Sequence, residues 1–110
     1  MNVSARNVFK GKISALVDGA VNAEVELTLP GGDKIVAIVT EGSVKSLGLA
    51  VGKEAIAYVK APWVMLLAGV ENVKFSARNQ LTGTVSELHK GAVNTEVGVK
   101  LAGGTTVYAV

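Results

Sequence analysis

The chain has 110 residues with a formal net charge of +2, one histidine, no cysteine and 13 glycines; 49% of it is hydrophobic but only 5% aromatic. Disulfides, thiolate metal sites and cysteine nucleophiles are therefore excluded, and a charge this mild, without a basic run, builds no surface that tracks phosphates. The longest apolar stretch, Ala61 to Ala68, is far too short to span a bilayer, and no basic segment followed by an apolar run opens the chain, so a cytoplasmic protein without a membrane partner is expected.

The first predicted strand runs from Ser4 to Leu16, with Val8, Ile13 and Leu16 as its buried positions. Gly11 lies inside it and marks a bulge or a sharp coil. Asp18-Gly19 signals a turn, and Asn22 to Leu29 then alternates, with Val25, Leu27 and Leu29 on one face and Glu24, Glu26 and Thr28 on the other. Pro30-Gly31-Gly32-Asp33 is a second turn, and Lys34 to Thr40 a third strand. Val44 and Leu47 then sit at helical spacing, with Thr40 as N-cap, Ser43 in the first turn and Gly48 as the stop. Glu54 to Lys60 reads as a fourth strand, Pro62 breaks the ladder, and Trp63 to Leu67 forms a last apolar strand or edge. Gly69 to Lys74 is a polar linker.

Beyond the linker the sequence repeats itself. Ser4-Ala5-Arg6-Asn7 returns as Ser76-Ala77-Arg78-Asn79, an offset of 72 (76 minus 4) that also relates Gly11 to Gly83, Gly19–Val25 to Gly91–Val97, and Gly31-Gly32 to Gly103-Gly104. The chain thus divides into a first unit, 1–69, and a partial second copy, 70–110. The copy repeats strand one (Ser76 to Leu88), strand two (Val93 to Leu101) and part of strand three (Thr105 to Val110). Four or five strands with a helix before the fourth give a mainly β fold, a small five-stranded barrel of the OB type. A three-stranded remainder exposes backbone groups and half an apolar face. Either another chain supplies the missing strands or a longer protein has been shortened, and the second reading is favoured.

Catalysis is hard to build from these residues. The single histidine, His89, aligns with Val17 and reads as a surface residue. Glu24 and Glu96 repeat, but on the polar face of a strand, where carboxylates are commonly solvated or paired. No ligand spacing for a metal appears, and the glycine turns lack the lysine and hydroxyl of a phosphate loop. An enzyme is not expected. An oxyanion site is easier to assemble, since a tetrahedral anion needs short donors and one or two cations. Ser4, Thr40 and Ser43 offer hydroxyls, Arg6 and Lys60 offer charge, and the helix start offers backbone N–H groups.

Ser4-Ala5-Arg6-Asn7, Gly11, Gly19 through Val25 and Lys60-Ala61-Pro62-Trp63-Val64 together resemble the Mop domain of molybdate-binding proteins, the molbindin subgroup of TOBE domains. The resemblance covers one complete Mop unit and the first half of another, as in double-Mop proteins. It implies molybdate, with tungstate as a substitute, held at interfaces between units by side chains and main-chain N–H groups. Carried over by motif, the donors are Ser4, Ala5, Arg6, Thr40, Ser43, Lys60 and Ala61, with Ser76, Ala77 and Arg78 from the second copy. It further implies a homo-oligomer, dimer or trimer, serving molybdenum storage or homeostasis. The alternative is the sensing module of a molybdate-responsive transcription regulator without its DNA-binding domain, so that this chain alone binds no nucleic acid.

Overall fold

The computed structural model describes residues 7–69 and 76–110. It is mainly β with one short helix, in keeping with the strand-rich sequence. The elements are β1 (Asn7–Asp18), β2 (Asn22–Thr28), β3 (Lys34–Thr40), α1 (Glu41–Leu47), β4 (Glu54–Val59), a 3-10 turn (Ala61–Trp63), β5 (Gly83–Lys90), β6 (Thr95–Leu101) and β7 (Thr106–Ala109). The strands form one sheet in the order β3-β2-β1-β4 and another in the order β5-β6-β7, with β1–β2, β2–β3, β5–β6 and β6–β7 antiparallel. By packing the chain falls into two units, Phe9–Ala57 on the one hand and Met1–Val8 with Tyr58–Val110 on the other.

The repeat is preserved down to single hydrogen bonds. In the first copy Gly19 N–H donates to Asn22 O (2.9 Å), Leu29 N–H to Asp33 O (2.8 Å) and Gly32 N–H to Leu29 O (3.0 Å). In the second the same three bonds join Gly91 to Asn94 (2.8 Å), Leu101 to Thr105 (2.8 Å) and Gly104 to Leu101 (3.0 Å). The glycine that repeats inside the first strand has a steric cause. A Cβ on Gly11 would lie 2.3 Å from the carbonyl oxygen of Thr28, and one on Gly83 would lie 2.5 Å from that of Lys100. The bulge is elsewhere: the pairing register slips between Ile13 and Ala15, and again between Val85 and Glu87. Glycine is present because two backbones touch, and the bulge comes later, at Ser14 and Ser86.

In the Phe9–Ala57 unit the core consists of Phe9, Ile13, Ala23, Val25, Leu27, Leu29 and Ile35, each large member contributing about 1.5–3 kcal/mol by leaving water. Val25, Leu27 and Leu29 are buried as the alternation requires. Val8 is not: it is 48% exposed, and Asn7, Phe9, Gly11 and Ile13 are the buried set of β1. Side chains alternate strictly along a strand, so Val8 and Ile13 cannot share a face without an intervening bulge. Gly52 and Lys53 complete the cover of Ile13, donating to its carbonyl and accepting from its N–H at 2.8 Å each.

The helix forms where Val44 and Leu47 at helical spacing placed it, although it buries none of its residues. Two other expectations need correction. Trp63 to Leu67 is not a strand: Pro62 lies in the 3-10 turn Ala61–Trp63 and the following residues have no regular structure. Ser76 to Leu88 is strand only from Gly83 onward. The expected linker falls outside the described residues except for Gly69. In the three-stranded sheet Leu101, Val107 and Ala109 are buried, whereas Val85, the repeat equivalent of the 1% exposed Ile13, is 58% exposed.

On the outer face of the first sheet Ser14 Oγ donates to Glu26 Oε1 (2.8 Å) and accepts from Thr28 Oγ1 (2.7 Å), while Lys34 lies 3.5 Å from the same carboxylate. The Ser14 hydrogen bond is the main cause that lowers the Glu26 carboxyl from its ordinary value; partial burial opposes it, and Lys34 adds smaller lowering contributions. A lowered folded-state pKa favours folding above the ordinary carboxylate pKa, and that contribution is lost as pH falls through the lowered value. Ser14→Ala is expected to raise the Glu26 titration midpoint, read by NMR; an unmoved midpoint rejects Ser14 as the main cause. Gly11→Ala is expected to destabilise by about 3 kcal/mol in urea unfolding, and a loss below about 1 kcal/mol would show that the strands can part at little cost.

Candidate functional site

The hydroxyl pair expected at the helix start is present. Thr40, with φ −74° and ψ 152°, is the N-cap of α1, and its Oγ1 accepts from Ser43 N–H at 3.1 Å while donating to Ser43 Oγ at 2.8 Å. Threonine suits this position because its oxygen replaces the partner that the first-turn N–H lacks. Gly48 ends the helix in the left-handed conformation at φ 64°, and the bond from Leu49 N–H back to Val44 O (2.9 Å) completes a Schellman-type stop. Glu41 N–H donates to Val21 O (2.9 Å), tying the helix start to the turn after β1. The Thr40 and Ser43 oxygens are thus a fixed pair at an exposed surface.

Lys60 directly follows β4 and is the N-cap of the 3-10 turn. Its Nζ lies 5.6 Å from the centroid of the Trp63 ring, which is 69% exposed. Such a cation–π contact is worth roughly 0.5–1 kcal/mol at an exposed site and holds the ammonium over the ring. Ala61 is buried, and its carbonyl accepts from Val110 N–H (3.3 Å) and Val64 N–H (3.1 Å). Ser4, Ala5 and Arg6 lie outside the described residues. Ser76, Ala77 and Arg78 lie in an exposed stretch without regular structure, where Gln80 Nε2 donates to Ala77 O at 2.9 Å.

Two contacts escaped the sequence reading. Trp63 stands three residues beyond Lys60, a spacing that one helical turn would bring together. Asn7, the last residue of the repeated motif, is buried and paired with Tyr108. His89 is exposed, 3.4 Å from Glu87. Among the described residues no three His, Cys, Asp or Glu side chains converge as metal ligands, and no helix is long and apolar enough to cross a membrane. A cleft of about 430 Å³ is lined by Lys10, Gly11, Lys12, Thr28, Leu29 and Pro30, with Glu54. Its repeat equivalent lies at Thr82, Gly83, Thr84, Lys100, Leu101 and Ala102. The same dent forms in each copy beside the glycine crossing, and none of the expected anion donors lines either one.

The TOBE-domain family profile matches residues 3–66 and 76–110. Among solved structures, the cytoplasmic molybdate-binding protein ModG, in a form with molybdate bound, superposes with a TM-score of 0.90 and 57% identity, over 99% of this chain and 77% of ModG. MopII from Clostridium pasteurianum superposes with a TM-score of 0.58 and 48% identity, over 61% of this chain and 100% of MopII. The molybdenum-pterin-binding protein MopA of Rhodobacter capsulatus is 43% identical over 110 residues, which is 100% of this chain but 42% of MopA. The chain therefore spans less than half of that relative.

Thr40→Ala is expected to cost the helix about 1 kcal/mol. Because α1 buries none of its own residues, amide exchange should accelerate from Ser43 to Gly48 while the global unfolding midpoint barely moves. An equal loss in both measurements would make the helix part of the cooperative core.

Proposed function

This chain belongs to the TOBE-domain family, in its Mop branch, and on that premise we propose that it binds molybdate, with tungstate as a substitute of nearly equal size and charge. The observation that carries the reading is the likeness to molybdate-bound ModG over 99% of the chain. The proposed donors are Ser4, Ala5, Arg6, Thr40, Ser43, Lys60 and Ala61, joined by Ser76, Ala77 and Arg78 of the second copy. A doubly charged anion leaving water must regain several charge-assisted hydrogen bonds, each worth roughly 1.5–3 kcal/mol. The Thr40–Ser43 hydroxyl pair and the Lys60 ammonium are groups of the required kind.

The anion in this reading sits where copies of the chain meet, so that occupancy and assembly into a dimer or trimer are linked. The role is storage or homeostasis of molybdenum in the cytoplasm, by binding rather than catalysis. A second reading makes the chain the sensing module of a molybdate-responsive transcription regulator without its DNA-binding domain. In that reading this chain alone binds no operator, and specific DNA binding by it in a gel shift would overturn it.

Molybdate at a hundredfold excess over its Kd is expected to stabilise the protein by about 2.7 kcal/mol, seen as a higher Tm in calorimetry. Lys60→Ala should abolish most of the rise. A melting curve that does not move in excess molybdate would remove the basis for the assignment.

A further inference from the structure

Strand β7 stands at one side of its sheet, in the order β5-β6-β7. Its pairing with β6 sets Val107 opposite Val99 and Ala109 opposite Val97. The bond from Leu101 N–H to Thr105 O (2.8 Å) belongs to the same alternating series. Residues 105, 107 and 109 therefore turn their peptide groups toward β6, and 106, 108 and 110 turn theirs outward. An outward row of this kind is a template for pairing with another chain.

β7 and its flanks read Thr105-Thr106-Val107-Tyr108-Ala109-Val110. A run of high β-propensity without charge, proline or glycine has the composition that self-pairs most readily. The first copy shows the contrast. Its corresponding edge strand, β3, is entered through Asp33 and Lys34, and charged side chains, lysine above all, are what commonly keep an edge from pairing. The second copy has threonine at both equivalent positions, 105 and 106.

A side chain covers β7 instead. Asn7 is 1% exposed, and its carboxamide is fully used: Nδ2 donates to Tyr108 O at 2.8 Å, and Oδ1 accepts from Tyr108 N–H at 2.7 Å. That amide stands where the peptide group of a neighbouring strand would stand. Two residues further on, Val110 N–H donates to the carbonyl of Ala61 at 3.3 Å. The Tyr108 hydroxyl meanwhile donates to Glu87 Oε2 at 2.8 Å, which ties the side chain back across its own sheet and away from the edge. We propose that Asn7 guards the β7 edge, and that the surface it covers fits one partner: β7 of a second copy of this chain, paired antiparallel about Tyr108 across a two-fold axis. An uncharged strand meets its own copy without like-charge repulsion, and the two outward rows complement each other group for group. This inference stands apart from the oxyanion reading and does not draw on it.

The test is sedimentation equilibrium on the full chain without added oxyanion, with amide hydrogen exchange read residue by residue by NMR. Asn7→Ala frees both Tyr108 groups and should tighten self-association about tenfold over wild type, the equivalent of one hydrogen bond regained between chains. The Thr106 and Tyr108 amides of that variant should exchange quickly when dilute and become protected as its concentration rises. Adding Val110→Lys, a charge on the edge at a position 48% exposed, should return self-association to the wild-type level. Leu27→Ala, a core truncation in the Phe9–Ala57 unit, should lower Tm and leave self-association unchanged. Asn7→Ser is too short to bridge both Tyr108 groups and gives the same reading should Asn7→Ala not fold. Association of the Asn7 variants within twofold of wild type would overturn the inference. So would a tightening that Val110→Lys does not reverse or that Leu27→Ala reproduces. Loss of the fold in both Asn7 variants would make Asn7 a core residue rather than a guard, and would overturn it as well.

Discussion

At Gly11 the backbone of β1 passes so close to the carbonyl of Thr28 that no side chain fits between them, and at Gly83 the same approach is made to Lys100. Much of the fold depends on this contact. Beyond the glycine each long strand is zipped to its partner, slips register at one serine, and reaches its turn. Ahead of the glycine the chain is released from that partner, and the two copies part ways. In the first copy the strand continues back to Asn7, and the amide of that residue is absorbed by Tyr108. In the second copy Ser76 to Thr82 adopts no regular structure and Asn79 is exposed. The asparagine that closes the repeated motif is thus buried in one copy and exposed in the other, so partners distant in the sequence decide its outcome.

That divergence explains which parts of the structure are legible in the sequence. Everything local is readable: the alternation of Val25, Leu27 and Leu29, the Gly-Gly turns, the Thr40 cap and the Gly48 stop each depend on residues within a few positions. The features that escape depend on counting or on distance. Val8 reads as core because it is apolar, although parity from Ile13 assigns that face to Phe9 and Asn7 instead. Trp63 to Leu67 has the composition of a strand, but Pro62 bends the chain into a 3-10 turn first. The chemistry of the candidate site is visible as a motif with spacing. The burial of Asn7 is not, because its partner Tyr108 lies 101 residues away.

The geometry of Lys60 bears on how a cation can be kept available for an anion. A lysine in solvent samples many rotamers, and ordering it costs entropy. Resting on the face of Trp63, its ammonium is confined without being neutralised. A carboxylate partner would confine it as well but would compete with any incoming oxyanion. The aromatic ring does not.

Across the three strands of the second copy, Glu87, Gly98 and Tyr108 stand in line where the first copy has Ala15, Glu26 and Val36. The tyrosine reaches the glutamate over the glycine, and any Cβ at position 98 would meet Glu87 Oε2 at 3.1 Å and Thr106 Cγ2 at 3.3 Å. These three differences between the copies thus form one arrangement. Recombination within the gene that copied Glu26 onto position 98 alone would press two carboxylates together beneath a tyrosine. A duplicated sequence is ordinarily open to homogenisation by such exchange. Here the geometry of one strand triplet opposes it: an exchange confined to position 98 would meet Glu87 and Thr106 at once.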